Sequence, residues 1–339
     1  MRRTIAVVLA LVLQGCSHSA TRPPAPPPSA EASALPAAGG GLGAAPASAS
    51  ASSAKAGPCT IFPADNVWHA DVSKLPVHRD SASWVASIGA AAHAHPDFGT
   101  TFGIPVTSVP AGQAGVKVTF EYAGESDPGP YPIPRNARVE GGADAGGDRH
   151  VIVQDTAACK AYELYNATVQ GDGSWKAGSG AVYDLRGNAL RKSGWTSADA
   201  AGLPILPGLP RADEAAAGKI DHAIRFTAPK TRKAFIWPAR HAASDATDAA
   251  LPPMGARFRL KASVDISKYP PQARAVAQAL KTYGAILADN GSPWYFTGTE
   301  DAKWSNTQLD ALKALKGTDF EAVDSSLLMV DANSARCRP

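Results

Sequence analysis

The chain has 339 residues, 45% of them hydrophobic and 19% charged, which supplies enough apolar side chain for a sizeable core and excludes wholesale disorder. The first 57 residues carry four basic side chains (Arg2, Arg3, Arg22, Lys55) against one acid, Glu31, leaving 29 basic and 29 acidic residues in the remainder. A formally neutral remainder argues against broad binding to a nucleic-acid backbone, which relies on clustered Lys and Arg.

The basic start and the apolar run 5–13 read as a secretory signal peptide, because nine apolar residues are too few to span a bilayer. Leu13-Gln14-Gly15-Cys16 resembles the bacterial lipobox. That resemblance implies cleavage after residue 15, lipidation at Cys16 and, with Ser17 next, an outer-membrane address in the cell envelope. Residues 17–57 hold 14 Ala, 8 Ser, 7 Pro and 5 Gly, a composition that cannot form a core. They read as a tether with a reach of roughly 35 Å. The organisation expected is therefore signal peptide 1–15, lipidated tether 16–57 and one β-rich domain over 58–339.

Along that domain, a helix is expected at 81–92. Strand chemistry follows at 116–122, 150–153, 162–165, 181–185, 222–227, 234–237, 256–261 and 294–297, where apolar and polar residues alternate or β-branched and aromatic residues cluster. Pro271 to Tyr283, ended by Gly284, and Ser305 to Leu315 complete the helices. Strands without regular helical crossovers predict a mainly β fold, an antiparallel, jelly-roll-like β-sandwich with a few peripheral helices. Export favours one disulfide. Cys59–Cys159 is preferred, with Cys337 as the competing partner.

No zinc-protease, phosphate-loop, nucleophile-elbow or calcium-loop motif is present. His93, His95 and Asp97 fall within five residues, but no second cluster has ligand spacing, so neither metal nor cofactor is assigned. The loop Glu125-Ser126-Asp127-Pro128-Gly129-Pro130-Tyr131-Pro132-Ile133-Pro134 is pre-ordered by its prolines and holds two acids and a tyrosine. Glu125, Asp127 and Glu163 are the candidate acid or base groups, with His150 and His222 as alternatives or orienting partners. Tyr131, Trp195, Asp199, Asp289, Asn290 and Trp294 are candidate substrate contacts, the two tryptophans as stacking surfaces. Asn290-Gly291 also reads as a turn.

Residues 95–99, 125–134, 148–150, 194–208 and 252–261 together resemble a family of uncharacterised secreted bacterial proteins. The resemblance covers most of 59–330, implies one recurring unit and carries no activity or catalytic residue. The expectation is an envelope lipoprotein acting on an extracellular glycan as a hydrolase or lyase. The alternatives are a non-catalytic module that binds a carbohydrate or envelope partner, and a structural envelope protein. The partners expected are a glycan or envelope component and the membrane through the lipid, with no nucleic acid.

Overall fold

Three β-sheets and a few short helices carry residues 59–338, the part of the chain that this computed structural model describes. The signal peptide, Cys16 and the tether lie outside the described residues. No helix among the described residues is long and apolar enough to cross a membrane.

The strands are β1 (His95–Asp97), β2 (Val106–Val109), β3 (Val118–Phe120), β4 (Val151–Asp155), β5 (Lys160–Tyr165), β6 (Thr168–Val169), β7 (Trp175–Ala177), β8 (Ser179–Asp184), β9 (Ile224–Ala228), β10 (Arg257–Leu260), β11 (Ala285–Asn290), β12 (Tyr295–Thr297) and β13 (Phe320–Val323). The helices are α1 (Ser81–Gly89), α2 (Ala212–Ala216), α3 (Pro271–Thr282) and α4 (Asn306–Leu309). The largest sheet runs β1-β12-β9-β11-β10-β13, the second β2-β4-β5-β8 and the smallest β3-β7-β6. Four pairings are parallel: β1 with β12, β9 with β11, β2 with β4, and β3 with β7. The sheets are therefore mixed, where an antiparallel sandwich was expected. Alternation along one strand reports its faces and not its neighbour's direction, so the sequence pattern did not reveal these parallel pairs.

The four-stranded sheet separates two cores. Val151, Val153 and Leu164 point to one side and pack with Val118, Tyr131 and Trp175. Ile152, Ala161, Ala181 and Tyr183 point to the other and join the main core. Residues 195–210 lie against that second face. Glu163, on β5, is fully buried and accepts the backbone N–H groups of Ile205 and Leu206, both at 2.8 Å. The covering segment then meets β9 through Gly208, where a Cβ would stand 2.9 Å from the Trp68 ring and 3.0 Å from Arg225 Cβ. Only a residue without a side chain lets these three pack together.

The six-stranded sheet has one apolar and one polar side near its β1 edge. Phe226, Phe258, Trp294 and Phe320 stack as an aromatic block, with ring centroids 4.9–5.6 Å apart, and α1 adds Trp84. Trp294 is wholly buried in this block and offers no surface to a ligand. Helix α3 starts at Pro271 and buries Ala273, Val276, Ala277 and Leu280, a 3.6-residue stripe. Gly284 ends it at φ +68°, its N–H bonding the Ala279 carbonyl and its Cα facing the Phe258 carbonyl too closely for a Cβ.

Segment 234–237, expected as a strand, makes a single bridge, Phe235 to Met254. Strands β1, β2, β6, β7, β11 and β13 were not expected. Asp289 and Asn290 close β11, and the chain bends and turns over 291–294, where Asn290-Gly291 was read as a turn.

Cys59 and Cys159 form a disulfide, and Cys337 is free and buried. The bridge spans a sequence separation of 100. Replacing both cysteines by serine is expected to cost about 2–5 kcal/mol, since it frees that loop in the unfolded chain. Thermal unfolding of the double variant against wild type measures it.

Candidate functional site

The polar cluster is built on Arg225. This residue lies mid-strand between Ile224 and Phe226, and its side chain is 4% exposed. A guanidinium cannot lose its charge there, so it requires partners. Its Nη1 donates to Thr297 Oγ1 at 2.9 Å, its Nε to Asp199 Oδ2 at 3.4 Å, and Nη2 lies 4.0 Å from Asp289 Oδ2. Thr297 comes from β12, Asp199 from the covering segment and Asp289 from β11.

Asp289 reaches this face through a bulge. Ile286 pairs with Arg225 and Leu287 with Phe226, but Asp289, not Ala288, pairs with Thr227. One extra residue inverts the alternation, so Asp289 shares the face of Arg225 and Thr227 instead of the aromatic side. Simple counting along the strand places it on the wrong face.

A second arm comes from residues 140–150. Arg149 adopts φ +54°, and its guanidinium donates to the Ala143, Ala145 and Ala167 carbonyls. Those bonds hold a backbone conformation that a non-glycine residue seldom takes. The next residue, His150, is 2% exposed; its Nδ1 lies 2.6 Å from Glu140 Oε2 and its Nε2 3.1 Å from the Ala198 carbonyl. Both partners can accept a hydrogen bond, an arrangement that favours the doubly protonated ring. Burial works against that charge, but the Glu140 hydrogen bond and charge outweigh it and raise the His150 pKa. Glu140 responds in kind: burial raises its pKa, and the bond and charge of His150 bring it below the usual value.

The other acids are shifted the opposite way. Asp289 is pushed up to about 7, first by burial and then by the charge of Asp199, against the pull of Arg225. Burial also raises Asp199 against Arg225, and Asp97 against His95. Asp97 faces Arg225 and Glu140 from β1, and exposed Asp148 faces His150 and Asp289. The layering is clear: Arg225, Asp199 and His150 lie buried beneath, with Glu140 (26% exposed) and Asp289 (23%) reaching solvent above them.

Of the residues singled out from sequence, His150, Asp199 and Asp289 meet here. The rest serve elsewhere. Glu125 accepts the Thr196 N–H at 2.9 Å, and Asp127 accepts the Val182 N–H at 2.8 Å and pairs with Arg191. These two acids fasten the proline loop to segment 191–196. Tyr131 is buried, donating its hydroxyl to the Asp127 carbonyl at 2.8 Å. Glu163 is the clamp described above, pushed up to about 7 mainly by burial. His222 is buried between the Ala223 carbonyl and Glu214. Trp195 has Arg191 and Lys192 over its ring, 5.6 and 5.4 Å from the centroid. Asn290 bonds Thr231 and the Ala243 carbonyl and so secures the 231–243 loop.

Glu140 and Thr297 were not anticipated as site residues. A charge inside the apolar run 223–226 is a readable sign that Arg225 has buried partners. Glu140 lies beside glycines with no pattern around it, and only the folded chain brings it to His150. The chain matches no known family, no curated protein and no solved structure.

These shifts set the pH dependence of folding. The raised pKa of His150 gives stability that is complete below pH 6.5 and lost as pH rises through its folded value. Asp289 and Glu163, protonated longer in the folded state, cost stability as pH rises from the ordinary carboxylate range to about 7. The lowered Glu140 contributes above 4.5 and fails in stronger acid. Stability is therefore expected to peak near pH 5 and to be lower at pH 8, by about 5–10 °C in Tm. The shift of Glu163 alone is on the order of 3 kcal/mol. In Glu163→Gln, scanning calorimetry should show a smaller difference between the two pH values.

Proposed function

We propose that the protein is a glycoside hydrolase of the cell envelope, with Asp289 as the acid and Glu140 as the carboxylate partner. The observation that carries this reading is a pair of solvent-reachable carboxyl groups, on one buried Arg225–Asp199–His150 base, whose surroundings drive their protonation apart. Separated protonation states of this kind assign acid and base roles. Protonated Asp289 donates its proton to the glycosidic oxygen as the bond to the anomeric carbon breaks. Ionised Glu140 attacks that carbon or takes the proton from an attacking water. Arg225 and Asp199 position Asp289, and His150 positions Glu140.

The charge distribution favours a hydrolase over a lyase. Elimination from a uronate needs a cation facing the substrate carboxylate. Arg225 is buried and engaged by two acids, while Asp97, Glu140, Asp148 and Asp289 at the same cluster are all acids. Under the same proposal the body works from a lipid anchor at Cys16, at the reach of its tether, on the outer membrane.

Incubating the protein with a panel of polysaccharides and peptidoglycan should release reducing ends without ultraviolet-absorbing unsaturated products. Asp289→Asn and Glu140→Gln should each lower release by about 100-fold or more. The rate should follow a bell with an acid limb below pH 4.5, from Glu140, and a basic limb near pH 7, from Asp289. Unsaturated products would indicate a lyase, and affinity without turnover a binding module. Radiolabelled palmitate should enter the wild-type chain in its host and be absent from Cys16→Ala.

A further inference from the structure

We propose that His95 and Tyr295 form a subsite for an uncharged hexopyranose unit, next to the bond-breaking position; this rests on the hydrolase reading above. The two rings stack with centroids 4.1 Å apart and planes 10° from parallel. They stand beside a cavity of about 520 Å³, shared with His93, Ser292, Pro293 and Lys313. Such a volume accommodates a sugar ring and its hydration.

The register gives the subsite its place. β1 and β12 are parallel, with His95 opposite Tyr295 and Asp97 opposite Thr297. Residues two apart share a face, so both strands run from the ring pair to the polar cluster. Thr297 is the residue that receives the Arg225 hydrogen bond, and Asp97 faces Arg225 and Glu140. Two residues of strand cover about 6.6 Å, close to one hexose along a glycan chain. Asp289 pairs with Thr227, which pairs with Tyr295, so Asp289 lies across the sheet from the rings while Glu140, near Asp97, lies along it. A chain that runs from the rings toward Arg225 therefore puts one sugar on them when a following unit is between Glu140 and Asp289.

The chemistry of the pair suits a sugar. The imidazole Nδ1 of His95 is buried without a hydrogen-bond partner, and the ring is held by the stack. Burial lowers its pKa, which keeps the ring neutral. The stack covers the facing sides of the two rings, which leaves an outer aromatic face to accept the C–H face of a pyranose. Lys313, the cation at the cavity, is paired with Asp310 at 2.6 Å. With acids at the adjoining position, nothing balances a sugar carboxylate, so the unit bound is uncharged.

The test uses the full chain and imidazole NMR signals, assigned by His95→Ala and His150→Ala. Cellohexaose, chitohexaose, maltohexaose, xylohexaose and hexagalacturonate are titrated separately. At least one uncharged oligosaccharide should shift both the His95 and the His150 signal, and hexagalacturonate neither. Tyr295→Ala should weaken that binding at least tenfold, and Tyr295→Phe, which keeps the ring, should restore it. A sugar that shifts His150 without His95, or binds Tyr295→Ala within twofold of wild type, overturns the subsite and leaves the hydrolase reading standing. Binding of hexagalacturonate alone overturns the charge assignment. If no oligosaccharide shifts either signal and none is cleaved, both the subsite and the reading beneath it fall.

Discussion

The buried Arg225 is the constraint on which the site depends. A guanidinium at 4% exposure in the middle of an apolar strand is tolerated only where the fold brings acceptors to it. Three different elements do so. β12 supplies Thr297, the covering segment supplies Asp199, and the bulge in β11 turns Asp289 toward the same face. Each satisfies the cation and is altered by it. Asp199 is wholly buried, so its charge is felt strongly by Asp289 nearby. The electrostatic character of Asp289 is thus a property of this group of residues and not of its own strand.

The rest of the architecture keeps those partners in place. Glu163 secures the covering segment to the four-stranded sheet through two backbone N–H groups, and Gly208 lets the same segment close on Arg225. The stacked aromatic block fixes the opposite face of the six-stranded sheet. Arg149 holds the 140–150 arm so that His150 and Glu140 meet. A site built from one strand face and two braced loops needs no long helices around it. This accords with a chain whose longest helix among the described residues is α3, at 12 residues.

Much of the secondary structure was legible because burial leaves a period in the sequence. The stripe of α3, the alternation of β10 and the runs of β4, β5 and β9 all carry it. Strand direction leaves no such trace, which is why the parallel pairs were missed. Among site residues, His150, Asp199 and Asp289 stood out as polar residues beside apolar segments. Glu125 and Asp127 stood out as acids in a proline-ordered loop and His222 as a histidine at a strand, yet their acceptors and donors are used to fasten loops. Residue type reports the capacity for chemistry; whether a carboxylate is left facing solvent depends on backbone N–H groups far along the chain. Trp294 shows the same limit from the apolar side, since an aromatic residue beside a loop can equally be the centre of the core.

The central claim is that Glu140 and Asp289 hold opposite protonation states between about pH 4.5 and 7 around one buried cation. Carboxyl-carbon NMR titration of the two side chains, in the absence of any substrate, tests it most directly. The account predicts a midpoint near pH 7 for Asp289 and one below 4.5 for Glu140. If both titrate together in the ordinary carboxylate range, the pair is not separated and the assignment of acid and base is wrong.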